Sequence, residues 1–115
     1  MKKVISVIIA ITMIVCLFAG CGSADDGKLK VAIVQQLDHS SLDEIREAIK
    51  AQLNTLAEPT NYTITIEEYN GQNDASMLNQ IGTQVVADNV DMIIPIATLA
   101  AQSMVTAADG TDIPI

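Results

Sequence analysis

Apolar residues recur along residues 29–115 with two alternating periods. Leu29, Val31, Ala32, Ile33 and Val34 crowd into a short β-branched run that ends at Gln35 and Gln36. The run is too short for a typical helix, so residues 29–36 are predicted to form a strand buried on both faces. Residues 62–67 alternate, with Tyr62, Ile64 and Ile66 set against Thr63, Thr65 and Glu67. That alternation predicts a strand with one partly wet face, as at a sheet edge. Residues 92–96 are apolar throughout and predict a third strand. Pro95 offers no N–H to a ladder, a loss that is tolerable near the strand's end.

Between the strands the period is helical. Ser41, with Glu44 three residues on, has the capping-box pattern. Leu42, Ile45, Ile49, Leu53 and Leu56 then predict an amphipathic helix with one core stripe. Glu58, Pro59, Thr60 and Asn61 break it. Asn70, Gly71, Gln72 and Asn73 read as a turn, and Asp74 as the N-cap of a second helix carrying Met77, Leu78, Ile81, Val85 and Val86 inward. Asn89, Val90 and Asp91 end that helix. Thr98 is expected to cap a third, which carries Leu99, Ala101, Met104 and Val105. A turn at Asp109, Gly110 and Thr111 leads to Ile113, Pro114 and Ile115, the expected opening of a fourth strand.

Strands alternating with helices predict an α/β fold with a doubly wound parallel sheet, here βαβαβα plus the start of a fourth strand. Right-handed crossovers limit the arrangements to a few; of these the order 2-1-3-4 is favoured, which makes the half-wet second strand an edge. The order reverses between strands one and three. Ligands in such sheets bind beyond the carboxyl ends of the strands at that point, where the loops over residues 36–41 and 97–101 meet.

Residues 1–20 follow another plan. Lys2 and Lys3 precede an uncharged run over residues 4–18, and Ala19 and Gly20 lead into Cys21. A basic start, an apolar core and a small-residue cleavage site form an export signal. A plain membrane anchor is the competing reading, since the run is near the lower length limit for spanning a bilayer. The Ala-Gly-Cys ending resembles the bacterial lipobox, with Phe18 where Leu is usual. Residues 1–20 are therefore read as a lipoprotein signal peptide, Cys21 as the lipid-bearing first residue, residues 21–28 as a tether and residues 29–115 as the folded part. That part is expected on the extracytoplasmic face of the cell membrane, held through the lipid on Cys21.

Charge narrows the possible partners. All 14 acidic residues lie after Cys21, against four bases, Lys28, Lys30, Arg46 and Lys50, a balance of about −10. Nucleic acid needs a basic footprint and is not an expected partner. Electrostatic attraction to anionic lipid is disfavoured for the same reason. Cys16 falls in the leader and Cys21 is assigned to lipid, so no thiol is left for a disulfide or a zinc site. His39 is the one histidine. Without a nucleophile–base pair or a metal constellation, neither an enzyme nor a cofactor nor a metal site is expected.

Val31, Ala32, Ile33, Val34 and Gln35, then Asp38 with His39, then Leu42 with Asp43, resemble the start of an ABC-transporter substrate-binding protein of the tryptophan- and tyrosine-associated type. Asn70, Gln72 and Asp74, then Asp91, Ala97, Thr98, Ala100, Ala101 and Gln102, then Ile113 and Pro114 continue the likeness in order and with similar spacing. Leu99 departs from it, standing where a small residue or Pro is common. The resemblance implies a periplasmic-binding-protein type I-like fold whose two lobes close on a ligand. It implies an amino acid or similar carboxylate-bearing solute as ligand and an ABC permease as partner. A membrane-anchored sensory domain presenting ligand to a receptor is the alternative. Residues 29–115 are expected to be part of the first lobe, truncated at the C-terminus.

Within that frame the candidate ligand-binding residues are Gln36, His39, Ala97, Thr98 and Ala100. Free backbone N–H groups at a helix N-terminus suit a carboxylate, and the Thr98 hydroxyl adds a donor. Thr98 reads equally well as a plain helix cap. His39 reads as a cleft residue or as a loop histidine bonded to nearby backbone. One of Gln35 and Gln36 is expected to face the cleft and the other to pack; the spacing does not say which. The turn over residues 70–74 is a polar turn that the resemblance would place at the cleft rim.

The leader yields a direct test. Cys21→Ser should abolish metabolic lipid labelling and processing at that site, and labelling that persists unchanged would refute the lipid assignment.

Overall fold

The structure, a computed structural model, describes residues 27–115. The expected signal peptide, Cys21 and most of the tether lie outside the described residues. The elements follow the expected order: β1 Lys28–Gln35, α1 Ser40–Ala57, β2 Thr63–Asn70, α2 Ala75–Ala87, β3 Met92–Ile96 and α3 Thr98–Ala107. All three strands are parallel, in the order β2-β1-β3. Val31 lies opposite Ile66 on one side and Met92 on the other, and Gln35 opposite Asn70 and Ile96. β2 is the partly wet edge that its alternation predicts. Residues 113–115 form no strand, but the Pro114 carbonyl accepts from the Ile93 N–H at 3.0 Å and so lies along the outer side of β3. Backbone N–H groups alternate sides along a strand, so the N–H that Pro95 lacks would also point outward. The β1–β3 ladder loses nothing by it.

Alternation assigns the side chains to two unlike faces. Ala32, Val34 and Ile93 turn toward α2 and α3, where Leu78, Ile81, Val85, Val90, Ala100, Met104 and Ala108 complete a buried cluster. Leu78 is fully buried because the β2–α2 turn brings it under Gly71, where a β-carbon would strike its side chain. A β-carbon on Gly82 would stand 2.6 Å from that of Ala107, so this glycine lets α2 and α3 touch. Full burial of a Leu or Ile is worth about 1.5–3 kcal/mol, and this face holds most of the core.

The other face is held differently. Val31, Ile33 and Gln35 point toward α1, yet α1 contains no buried residue. The expected core stripe is only half covered: Leu42, Ile49 and Leu53 are intermediate, while Ile45 is 46% and Leu56 57% exposed. α1 is instead pinned by charge. Arg46 reaches Glu68 of β2 at 3.1 Å and Asp43 at 3.2 Å, and Lys50 reaches Glu68 at 2.8 Å and Glu47 at 3.2 Å. Gln35, fully buried, ties this layer to the sheet. Its Nε2 donates to the Leu37 carbonyl at 2.7 Å and to Asp43 Oδ1 at 2.8 Å, and its Oε1 accepts from Arg46 at 2.9 Å.

Local signals at the helix ends meet mixed outcomes. Asp74 caps α2 as expected, accepting from the Met77 N–H at 2.8 Å. Ser41 does not cap α1; the N-cap is His39, whose Nδ1 accepts from the Ser41 N–H. Met77 is 36% exposed rather than inward-facing, because the helix begins at Ala75 and turns Leu78 to the sheet. In α3 the buried residues are Ala100, Ser103 and Met104, and Val105 is exposed.

Gln35→Leu keeps the volume of this side chain and removes its amide. It leaves the Leu37 carbonyl without that donor and takes an acceptor from Arg46. The expected loss is about 1–3 kcal/mol of stability, read as a lower chemical-denaturation midpoint; an unchanged midpoint would show that the network does not hold the layer.

Candidate ligand-binding site

Three loops leave the carboxyl edge of the sheet side by side, because the strands are parallel and β1 lies between its partners. The β1–α1 loop carries Gln36, Asp38 and His39. The β2–α2 loop carries Gly71, Gln72 and Asn73. Ala97 alone joins β3 to α3. This is the position expected for a site in an open parallel sheet.

The loops are tied to one another. The Gly71 N–H donates to the Gln35 carbonyl at 2.8 Å, and the Asn73 N–H to the Gln36 carbonyl at 2.7 Å. Asn70 at the end of β2 donates through Nδ2 to Asp38 Oδ1 at 2.5 Å, and its own Oδ1 accepts from the Gln72 N–H at 2.8 Å. Gln72 and Asn73 take left-handed conformations, with φ of 51° and 57°. Asn is one of the few residues that visit that region readily.

α3 starts abruptly. Its N-cap is Ala97, at φ 78° and ψ 163°, a region otherwise almost reserved for glycine. Ala97 has no side chain with which to cap. Thr98 is the first helical residue and is exposed, so it is not the cap that its position in the sequence suggests. The first helical bond runs from the Ala101 N–H to the Ala97 carbonyl at 3.0 Å, and Leu99 N–H donates to Gln36 Oε1 at 2.9 Å. Among the described residues no protein acceptor meets the N–H groups of Thr98 and Ala100. The end of α3 therefore presents partial positive charge and a hydroxyl at the switch point, a setting suited to an anion.

The five sequence-derived residues thus reach one edge by different means. Gln36 and Thr98 bring side chains there. Ala97 contributes backbone. Ala100 is wholly buried in the core, backbone included, so it presents no accessible group at the helix end. His39 is exposed and spends Nδ1 on capping α1. The choice between the two glutamines is settled: Gln35 packs beneath α1 and Gln36 lies among the loops. Asn73 was not singled out from sequence. Its signal was present, an Asn in a Gly-containing turn, but not its partner across 37 residues. Among the described residues no group of three or more His, Cys, Asp or Glu is placed to hold a metal ion.

A family model for ABC transporter substrate binding proteins matches residues 30–115. The chain belongs to this family. The tyrosine-binding protein of Clostridioides difficile strain R20291 is 31% identical over 127 residues, taking in 99% of this chain and 36% of that protein. The fold is similar to the ligand-free, open structure of a substrate-binding protein with adhesive properties from Clostridium difficile, at 28% identity and a TM-score of 0.65, covering 74% of this chain and 29% of that one. It is equally similar to an ABC domain in complex with L-Trp from Streptococcus pneumonia, at 28% identity and a TM-score of 0.66, covering 75% of this chain and 29% of that one. The chain thus spans about a third of the length of the tyrosine-binding relative.

The strain at Ala97 is measurable without any ligand. Ala97→Gly removes a backbone cost of about 1–3 kcal/mol against about 0.4–1 kcal/mol of added unfolded-state entropy. A net rise in thermal midpoint is expected, and Ala97→Val should lower it. A lower midpoint for Ala97→Gly would mean that the residue is not strained.

Proposed function

We propose that this chain captures an amino acid outside the cytoplasmic membrane for delivery to an ABC permease, and that the ligand is aromatic. The observation that carries the reading is the conjunction of the family match with three tied loops around the free N-terminus of α3. The tyrosine-binding relative and the neighbour bound to L-Trp point to the ligand class. The N–H and hydroxyl of exposed Thr98 take the α-carboxylate. Asp38, exposed on the first loop, supplies charge of the sign that an α-ammonium group needs. The described residues offer no ring-stacking partner at this edge. Tyr62 precedes β2 at the opposite end of the sheet. Tyr69 packs against the core and donates its hydroxyl to Glu67; burial first, and that hydrogen bond second, push its pKa up to about 12. These loops therefore recognise the polar end of the ligand.

The lipid on Cys21 places the protein on the extracytoplasmic face in this reading, with the lipid as its membrane anchor.

Calorimetric titration with L-tyrosine and L-tryptophan tests the site. Thr98→Val keeps the shape and removes the hydroxyl. Loss of one hydrogen bond to a charged group costs about 1.5–3 kcal/mol, a weakening of about ten- to a hundredfold. The Thr98 N–H persists, so binding should weaken without vanishing. Unchanged affinity in Thr98→Val removes that hydroxyl from the site, and a native protein that binds neither amino acid refutes the ligand class.

A further inference from the structure

Gln36 has four polar groups, and each is engaged either with Asn73 of the β2–α2 loop or with a residue flanking Ala97. Its N–H donates to the Ile96 carbonyl at 3.1 Å and its carbonyl accepts from the Asn73 N–H at 2.7 Å. Its Nε2 donates to Asn73 Oδ1 at 2.8 Å, and its Oε1 accepts from the Leu99 N–H at 2.9 Å. The orientation of the amide is fixed by this set. The Leu99 N–H only donates, so the atom facing it is Oε1, and Nε2 is left for an acceptor on Asn73.

The partners on either side of Ala97 are informative. Ile96 and Leu99 bracket the Ala97–Thr98 step, so Gln36 grips both sides of the strained Ala97. The Leu99 N–H is one of the N-terminal donors that a helix leaves without an internal acceptor, and the cap residue Ala97 has nothing to offer it. Gln36 therefore acts as the cap of α3 from a loop 63 residues away. It also pins Asn73, and with it the left-handed turn of the β2–α2 loop.

We propose that Gln36 is a positioning residue: it fixes the spacing between the β2–α2 loop and the N-terminus of α3 and reserves the Leu99 N–H, so that the N–H and hydroxyl of Thr98 face the ligand in one arrangement. This rests on the binding reading above. It reassigns Gln36 from a residue that touches ligand to one that acts through Asn73 and Leu99. Its contribution is preorganisation, which raises affinity by removing the cost of ordering the loops at the moment of binding.

The test has two arms. The first is amide hydrogen exchange on the full chain without ligand. Gln36→Met should lower the protection of Leu99 at least tenfold, while Leu78 and Ile93 in the core keep theirs. Leu99 protection unchanged in Gln36→Met would overturn the clasp. The second arm is titration with L-tyrosine and L-tryptophan. Gln36→Met should weaken both by the same factor, about five- to tenfold for one hydrogen bond's worth of order. Asn73→Gly keeps the left-handed turn, removes the acceptor and should cause a similar loss, and the double variant should lose little more than either single one. Additive losses, or a loss confined to one amino acid, would mean that Gln36 touches the ligand and would overturn the positioning role. Should Gln36→Met also lose core protection, Asn73→Gly decides alone: wild-type affinity overturns the proposal, and weakened binding with an intact core supports it. A native protein that binds neither amino acid overturns the binding reading and the positioning role together, while the Leu99 measurement still shows whether the clasp exists.

Discussion

Residues 31–35 of β1 have almost no access to water, so each of their backbone polar groups must find a partner inside the protein. Parallel neighbours on both sides satisfy that demand, and the rest of the structure follows from it. Two parallel ladders sharing one strand bring all three carboxyl ends to the same edge. The chain that leaves β1 then emerges between the other two loops. Gln36, the first residue past the strand, can donate to Ile96 and accept from Asn73 only because the register aligns Gln35 with both Ile96 and Asn70.

The two layers over this sheet are held by forces of different range. α2 and α3 bury Leu78, Ile81, Val85 and Met104 against Ala32, Val34 and Ile93, a contribution that varies little with salt or pH. α1 depends on Arg46, Lys50, Glu47 and Glu68. The hydrogen bond to Glu47 foremost, and the charges of Asp43 and Glu68, raise the pKa of Arg46. Lys50 is raised by Glu68 and then by Glu47, and Glu47 is held below the usual carboxylate value by Lys50 and then Arg46. The contribution of Glu47 is complete above its ordinary value and is lost as pH falls through the lowered one. That of Lys50 is complete below its ordinary value and is lost as pH rises through the raised one. The cluster is thus intact across neutral pH, but exposed pairs of this kind are each worth little and are screened by salt. Buried Gln35 links them to the sheet one turn beyond His39, so the first loop of the site rests on the weaker of the two layers.

Element order, the edge position of β2 and the Asp74 cap were legible in the sequence because each depends on residues close together in the chain. Leu78, Ile81 and Val85 read as core for the same reason, and crossover handedness left few sheet orders to choose among, with the half-wet β2 marking the edge. What escaped depends on partners far away. Thr98 has the chemistry of a cap, yet the backbone reverses one residue earlier, and a glutamine from another loop bonds the helix end instead. The stripe from Leu42 to Leu56 is periodic enough for a core helix, but periodicity does not tell how much of a helix its neighbours cover. Gln35 and Gln36 are indistinguishable by type. Only the phase of β1, fixed by its pairing, sends one beneath α1 and leaves the other among the loops.

The proposed ligand, an amino acid, is at neutral pH a zwitterion with no net charge, so the field of a chain carrying 14 acids against four bases beyond residue 21 would do little to draw it in. In that reading recognition comes from groups that act within a few ångströms, a helix end for one charge and a carboxylate for the other. Such groups gain most when they are already in place, since any loop ordered during binding subtracts from the affinity. The structure meets that condition with short hydrogen bonds between loops and accepts a strained Ala97 to do so. A glycine at that position would relieve the strain, but it would also widen the conformations open to the start of α3. The strained alanine, gripped on both sides by Gln36, holds the start of α3 in a single pose.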